Sequence, residues 1–137
     1  MVIESLTFGQ SVLVYRQLTM ENKEIIAKTY GLNKIFIESW FYAFSDIRNI
    51  CAHHGRLWNR EMRVNVTQKH PKYNKLFYNN NGNRLFNHVL LMCVINNNSY
   101  PDSGWVGRLR DLIDEYGIEV SHMGFPKDWE ERIDNAL

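Results

Sequence analysis

The feature that most constrains the fold is a set of mainly apolar residues in the first half of the chain. These residues recur at steps of three and four, and they are Phe36, Trp40, Phe44, Ile47, Cys51, His54 and Trp58. Since an α-helix has about 3.6 residues per turn, this spacing places them on one face of a helix. Asn33 suits the N-terminal cap of that helix. Gly55 weakens the helix near its end, as a bend or as a stop.

Helical patterns lie on both sides of this element. Residues 4–18 and 21–30 predict two helices before it, and the second has Gly31 as a C-terminal cap. Residues 84–97 are apolar nearly all round, which is typical of a helix in the middle of a bundle. A further helix is expected after the start signal Pro101-Asp102-Ser103, ending at Gly117. A short amphipathic segment follows around Trp129 and Ile133.

The stretch between the two main helical patterns is polar and irregular. Over residues 61–83, His70-Pro71 disfavours a helix and Asn80-Asn81-Gly82 indicates a turn, so a long loop is expected there. No part of the chain alternates strongly enough between polar and apolar residues to require a sheet. The sequence therefore predicts an all-α helical bundle, with residues 1–137 as one domain.

Composition narrows the class of protein further. The 137 residues include 16 Lys and Arg against 15 Asp and Glu, so any nucleic-acid site must be local rather than a broad basic surface. Cys51 and Cys93 each lie in an apolar run, which favours buried thiols in a reducing compartment. The longest apolar run, residues 89–95, is too short to cross a bilayer, and the start does not resemble a signal peptide. A cytoplasmic protein is expected.

The segment from Arg48 to His54 holds the most chemically suggestive residues. On a continuous helix, Asn49, His53, Arg56 and Arg60 would form one polar stripe able to bind phosphate. His53 could act as a general acid or base. Arg48 would point roughly 140° away from His53 on a straight helix. The two could meet one phosphate only through a bend in the helix or through a second chain.

Three sequence motifs resemble a known family. Arg48-Asn49 followed by His53 fits the Arg-polar-xxx-His signature of HEPN-type ribonuclease domains. The longer string from Arg48 to Arg60 resembles the core motif of the Abi-like abortive-infection proteins. The segments Glu4-Ser5-Leu6-Thr7-Phe8-Gly9 and Met123-Gly124-Phe125-Pro126, the latter followed by Trp129, resemble that family's flanking motifs in the expected order.

The resemblance implies a HEPN-like helical domain that cleaves RNA without a metal or cofactor, as a defence toxin against phage. It implies Arg48 and His53 as the catalytic pair, with Asn49 orienting them. Arg56 and Arg60 are then candidate RNA-binding residues. The family's domains frequently form homodimers in which two motifs face each other, and an antitoxin or a regulatory RNA is a further partner that the resemblance suggests.

The chain departs from the family pattern in two respects. Members of the family have an additional N-terminal half, whereas this chain begins almost on the Glu4 motif. We therefore expect the chain to correspond to the family's C-terminal portion, as a fragment, the product of a truncated gene or a short variant. Some HEPN proteins carry a tyrosine two residues after the motif histidine, which a partner nucleotidyltransferase modifies. That position is Gly55 here, so this form of regulation is not expected.

Simpler interpretations stand beside these roles. Arg48 could pair with Asp46 or Glu38, and Arg56 and Arg60 could be ordinary solvated charges. The remaining assignments are structural: His54 is expected in the core, Asn59 at a helix end, and Trp40, Trp58, Trp105 and Trp129 as core or interface anchors. No metal-binding spacing is present, since adjacent histidines diverge on a helix. The alternative function is a non-catalytic helical module that binds RNA or a protein.

Overall fold

Helices alone form the secondary structure in the residues that the structure, a computed structural model, describes: 5–66, 70–80 and 83–137. The α-helices are α1 (Phe8–Gln17), α2 (Met20–Thr29), α3 (Lys34–Ala52), α4 (Phe86–Ser99), α5 (Trp105–Glu115) and α6 (Trp129–Asp134). Short 3-10 helices cover Pro71–Leu76, Pro101–Ser103 and Val120–Met123. The all-α prediction is confirmed. In these ranges no helix is both long and apolar enough to cross a membrane.

Polar caps set the first residues of the N-terminal helices. The Thr7 side chain accepts a hydrogen bond from the Gln10 backbone N–H, and the Gln10 side chain accepts one from the Thr7 N–H, which is a capping box. Thr19 caps α2 in a similar way. The Asn33 Oδ1 atom accepts from the Ile35 N–H at 3.0 Å, so the predicted cap of α3 is confirmed. Glu4, the first residue of one motif, lies outside the described residues.

The core lies between α3 and α4. Helices α1 and α2 pack on α3, which packs on α4, and α4 also contacts α5 and α6. The largest fully buried side chains are Trp40, Phe86, Ile37, Leu90, Leu91, Ile133, His88, Val94 and Cys93. Six of these nine side chains belong to α4, including that of its first residue, Phe86, so the predicted central helix is confirmed. Burying each large apolar side chain stabilises the fold by about 1.5–3 kcal/mol.

The predicted loop between α3 and α4 is anchored to α4 by polar groups. The Asn87 side chain accepts from the Tyr78 N–H at 2.9 Å and donates to the Tyr78 carbonyl at 3.0 Å. The His88 Nε2 atom lies 2.9 Å from the Val64 carbonyl oxygen. Pro71 begins a 3-10 helix within the loop, and the His70 side chain caps it by accepting from the Lys72 N–H. Part of the predicted Asn80-Asn81-Gly82 turn lies outside the described residues.

The segment from residue 123 to residue 129 completes the core at one end. Gly124 has a φ of +76°, a left-handed conformation that glycine adopts without strain. This turn directs Phe125 into edge-to-face contacts with the rings of Phe86 and Trp129, at centroid distances of 5.1 and 5.4 Å. The motif that resembles the family's last flanking motif therefore packs in the core.

Helix α3 ends earlier than the apolar spacing predicts. Its last residue is Ala52, and His54 has a left-handed φ of +53°. The His54 N–H donates to the Cys51 carbonyl at 3.0 Å, and the Gly55 N–H donates to the Ile50 carbonyl at 2.7 Å. This pair of bonds is a Schellman motif, which closes a helix C-terminus. Of the two alternatives left open for Gly55, a bend or a stop, the structure has the stop.

The early end of α3 overturns two expectations about burial. His54 was expected in the core, but the reversal of the chain leaves it exposed. Cys51 was expected to be buried, but it lies on the open side of the last turn and is exposed. Cys93, on the central helix, is buried as expected, and burial raises the pKa of its thiol to about 12. Both cysteines are free thiols.

Candidate functional site

A polar pocket of about 300 Å³ lies at the C-terminal end of α3. Its lining consists of Asp46, Asn49, Ile50, His53, Gly55, Arg60 and Arg63. Three of the residues singled out from the sequence, Asn49, His53 and Arg60, are among them. The pocket therefore brings together an imidazole, a carboxamide and two guanidinium groups.

Two different kinds of local structure build this pocket. Asn49 and Ile50 each lie three or four residues from both Asp46 and His53, which places the four side chains on one side of the end of α3. After Gly55 the chain reverses, and a turn closed by the Arg60 N–H donating to the Leu57 carbonyl at 3.2 Å returns it toward that face. The helical stripe predicted from Asn49 to Arg60 is wrong in its geometry, because the helix stops at Ala52.

A buried carboxylate, that of Asp46, belongs to the pocket lining. The Asp46 side chain is only 8% exposed, and its Oδ1 atom accepts from Arg63 Nη2 at 3.3 Å. The other oxygen, Oδ2, is buried and has no hydrogen-bond partner within the described residues. Because the Arg63 side chain is 87% exposed, solvent weakens this ion pair. The sequence did not identify Asp46 or Arg63 as site residues. The three-residue step from Asp46 to Asn49 could have indicated that Asp46 shares a helix face with the motif.

Arg48 lies beside the pocket but outside its lining. Its Nη1 atom donates to Asn49 Oδ1 at 3.2 Å, so the Asn49 side chain connects Arg48 to the pocket. The two carboxylates proposed as simple partners for Arg48 bind other cations. Asp46 pairs with Arg63 at 3.3 Å. Glu38 pairs with Arg16 and with Lys23, both at 3.2 Å. The pocket lining of one chain therefore includes His53 and Asn49 but not Arg48.

Arg56 also lies outside the pocket lining, in a second group of side chains. Its guanidinium carbon is 6.0 Å from the centre of the Trp58 ring, and the His122 ring lies 5.0 Å from that of Trp58. Trp58 is 40% exposed, so it is not a core residue, and of the two roles that the sequence predicts for it the interface anchor stays a prediction. By contrast, Trp40 and Trp129 are core residues and Trp105 packs against the core, in agreement with the prediction.

Asn59 was expected to end a helix, but it lies with Trp58 in the turn from Leu57 to Arg60. Its φ is +53°, and its side-chain oxygen accepts a hydrogen bond from Arg84. No group of three His, Cys, Asp or Glu side chains that could hold a metal ion occurs among residues 5–66, 70–80 and 83–137.

Residues 1–59 match the model of the family described as Abi-like protein, so the resemblance to that family is confirmed over this part of the chain, while the HEPN resemblance stays a prediction. The matched part includes Arg48, Asn49, His53 and Arg56, and it ends just before Arg60. The motif from Met123 to Trp129 lies outside it. No curated protein and no solved structure matches the chain.

Proposed function

We propose that this chain, Abi-like over residues 1–59, is a metal-independent endoribonuclease of the abortive-infection type that acts on RNA in the cytoplasm. The observation that carries the proposal is the pocket at the end of α3. There the motif residues Asn49 and His53 meet Arg60 and Arg63, next to Arg48. Two free thiols are consistent with a reducing compartment.

The pocket residues suit cleavage of RNA through its own 2′-hydroxyl. In the proposed step, His53 accepts the proton of the 2′-hydroxyl while O2′ attacks the adjacent phosphorus. The bond from phosphorus to O5′ breaks, and O5′ takes up a proton. The products are a 2′,3′-cyclic phosphate and a 5′-hydroxyl. Arginine groups stabilise the additional negative charge that the phosphate oxygens carry in the transition state.

We further propose that the active form is a homodimer in which Arg48 of one copy acts with His53 of the other. Arg48 is exposed and outside the lining of its own pocket, while Asn49 both lines the pocket and accepts a hydrogen bond from Arg48. A second copy facing the pocket would therefore add the guanidinium of its Arg48, which the lining of a single chain does not include. An antitoxin or regulatory RNA that restrains the activity remains an expectation from the resemblance.

The principal test measures cleavage of a panel of RNAs by purified protein with a chelator present. We expect products that end in 2′,3′-cyclic phosphate, and His53→Ala should slow cleavage by about 10²–10⁴-fold. His54→Ala is the matched control, since this neighbouring histidine is exposed and outside the pocket lining. Full activity of His53→Ala, or strict dependence on Mg²⁺ with 3′-hydroxyl products, would contradict the proposal.

The dimer is tested by mixing two inactive variants, Arg48→Ala and His53→Ala. If the site is shared between copies, each mixed dimer has one site with both residues intact. An equal mixture should then recover about a quarter of the parent activity, because half of the dimers are mixed and each has one of two sites. No recovery after subunit exchange would place Arg48 and His53 of each site in the same chain.

A further inference from the structure

Three planar side chains lie together on the surface beside the pocket. Arg56 is positioned over the Trp58 ring at 6.0 Å, and the His122 ring is tilted by 45° against Trp58 at 5.0 Å. Trp58 is 40% exposed, in contrast to Trp40, which is fully buried in the core. Indole rings, imidazole rings and guanidinium planes are the groups on which proteins stack unpaired RNA bases. We refer to Arg56, Trp58 and His122 as the stacking group.

Besides the contacts among its own three side chains, the stacking group is held in place by hydrogen bonds of Arg84. Trp58 and Asn59 are the central residues of the turn from Leu57 to Arg60. Arg84 donates to the Asn59 side-chain oxygen and also, at 3.0 Å, to the His122 carbonyl oxygen. This arginine therefore fastens the turn that carries Trp58 to the 3-10 helix that carries His122. A preformed surface reduces the entropy that binding a ligand costs.

The same turn connects the stacking group to the pocket. Arg60, the last residue of the turn, lines the pocket with His53, whereas Trp58, two residues before it, lies outside the lining. The Cα atoms at the two ends of such a turn are less than about 7 Å apart. Four arginines of the pocket and the turn outnumber the carboxylates near them. The arginines are Arg56, Arg60, Arg63 and Arg84, and the carboxylates are Asp46, which pairs with Arg63, Glu61, which follows Arg60 in the chain, and Glu119, which lies 3.4 Å from His122. A strand with its phosphate at His53 would therefore extend over a cationic surface toward Trp58.

We infer that Trp58, together with Arg56 and His122, stacks a base of single-stranded RNA next to the cleaved phosphate. The inference rests on the proposed ribonuclease function and adds its substrate class, an unpaired strand. A base within a duplex already stacks on its neighbours, so an exposed indole favours single strands. Stacking of this kind tolerates every base, because each has a π-face.

The experiment measures binding of a labelled single-stranded 2′-O-methyl oligoribonucleotide, which lacks the hydroxyl needed for cleavage. Trp58→Ala should weaken binding about 5–150-fold, the range that stacking of one base gives. Trp58→Leu keeps apolar bulk at the turn and should weaken binding to a similar degree, whereas Trp58→Phe should retain most of it. Tyr116→Ala is the matched control, because Tyr116 is an exposed aromatic residue at the end of α5, outside this group. Thermal unfolding of each variant identifies any that fail to fold.

Cleavage by the same variants separates this inference from the proposed function. Trp58→Ala should raise KM on single-stranded RNA and leave kcat largely unchanged, whereas His53→Ala should lower kcat. Parent-like binding by both Trp58→Ala and Trp58→Leu, or equal binding of a duplex, would overturn the stacking inference and leave the ribonuclease proposal standing. Binding that depends on Trp58 without any cleavage by the parent would uphold the stacking group and overturn the ribonuclease. A parent protein that binds no single strand overturns the stacking inference as well.

Discussion

Two adjacent residues at the end of α3 should respond in opposite ways to substitution. His54 has a φ of +53°, where a side chain with a Cβ atom costs roughly 1 kcal/mol relative to glycine. Since the His54 side chain is exposed, its removal loses little packing. We therefore expect His54→Gly to raise the free energy of unfolding by about 1 kcal/mol. For a chain of this size, that corresponds to a Tm about 3–5 °C higher.

Gly55 is the position where a side chain should be harmful. A Cβ atom there would lie 2.8 Å from the Ile50 carbonyl oxygen and 2.8 Å from Ile50 Cγ2. The oxygen belongs to the backbone and accepts the hydrogen bond that ends the helix, so the helix end itself would have to move. Crowding of this kind typically costs 1–3 kcal/mol, and we expect Gly55→Ala to lower the free energy of unfolding by about that amount.

The pair of variants separates the observed helix end from a helix that continues to residue 58. In a continuing helix, glycine at position 54 would cost about 1 kcal/mol, and alanine in place of Gly55 would gain a similar amount. Both signs would then be reversed. The assay is urea and thermal unfolding followed by circular dichroism, with His54→Asn as a milder gain and His54→Val as a loss. A destabilised His54→Gly with a stabilised Gly55→Ala would refute the helix end described above.

Two further predictions concern titration and thiol reactivity. Burial lowers the pKa of His88, although hydrogen bonds to the Val64 and Arg84 carbonyls oppose the change. The unfolded chain therefore binds a proton at this residue more readily than the folded protein does. The free energy of unfolding therefore falls as the pH drops below about 6.5, where the unfolded chain takes up this proton. The decrease in Tm from pH 7 to pH 5 should be smaller in His88→Gln than in the parent protein, and an equal decrease would contradict this prediction. With Cys51 exposed and burial holding the Cys93 pKa at about 12, a thiol reagent should react rapidly with one thiol of the native protein and with almost none in Cys51→Ser. Two rapidly reacting thiols would show that the core around Cys93 opens.

The sequence predicts those parts of the fold that a regular spacing determines. Helix α4 is apolar nearly all round, so its central position follows from its sequence pattern. The end of α3 was harder to predict, because the residue that takes the left-handed conformation is His54 rather than the usual glycine. The apolar spacing continues through His54 and Trp58 by coincidence, and it extended the predicted helix past its observed end.

The same limit applies to the candidate site. Asn49 and His53 are four residues apart, so a helical spacing correctly places them on one face. Arg60 reaches the pocket through a turn, and Arg63 approaches Asp46 from 17 residues further along the chain. Contacts of this kind depend on the path of the loop, which no periodicity in the sequence describes. The shared roles of Arg48 and His53 remain a prediction.

The crowding at position 55 also limits the evolutionary routes open to this chain. Control by modification of a tyrosine two residues after the motif histidine would require that tyrosine at position 55. Even a single added carbon would contact the Ile50 carbonyl oxygen, so tyrosine could be gained only together with a rebuilt helix end. That rebuilding would also displace His53, which caps the same helix and lines the pocket. A lineage with this helix end is therefore expected to place any such modification at another residue.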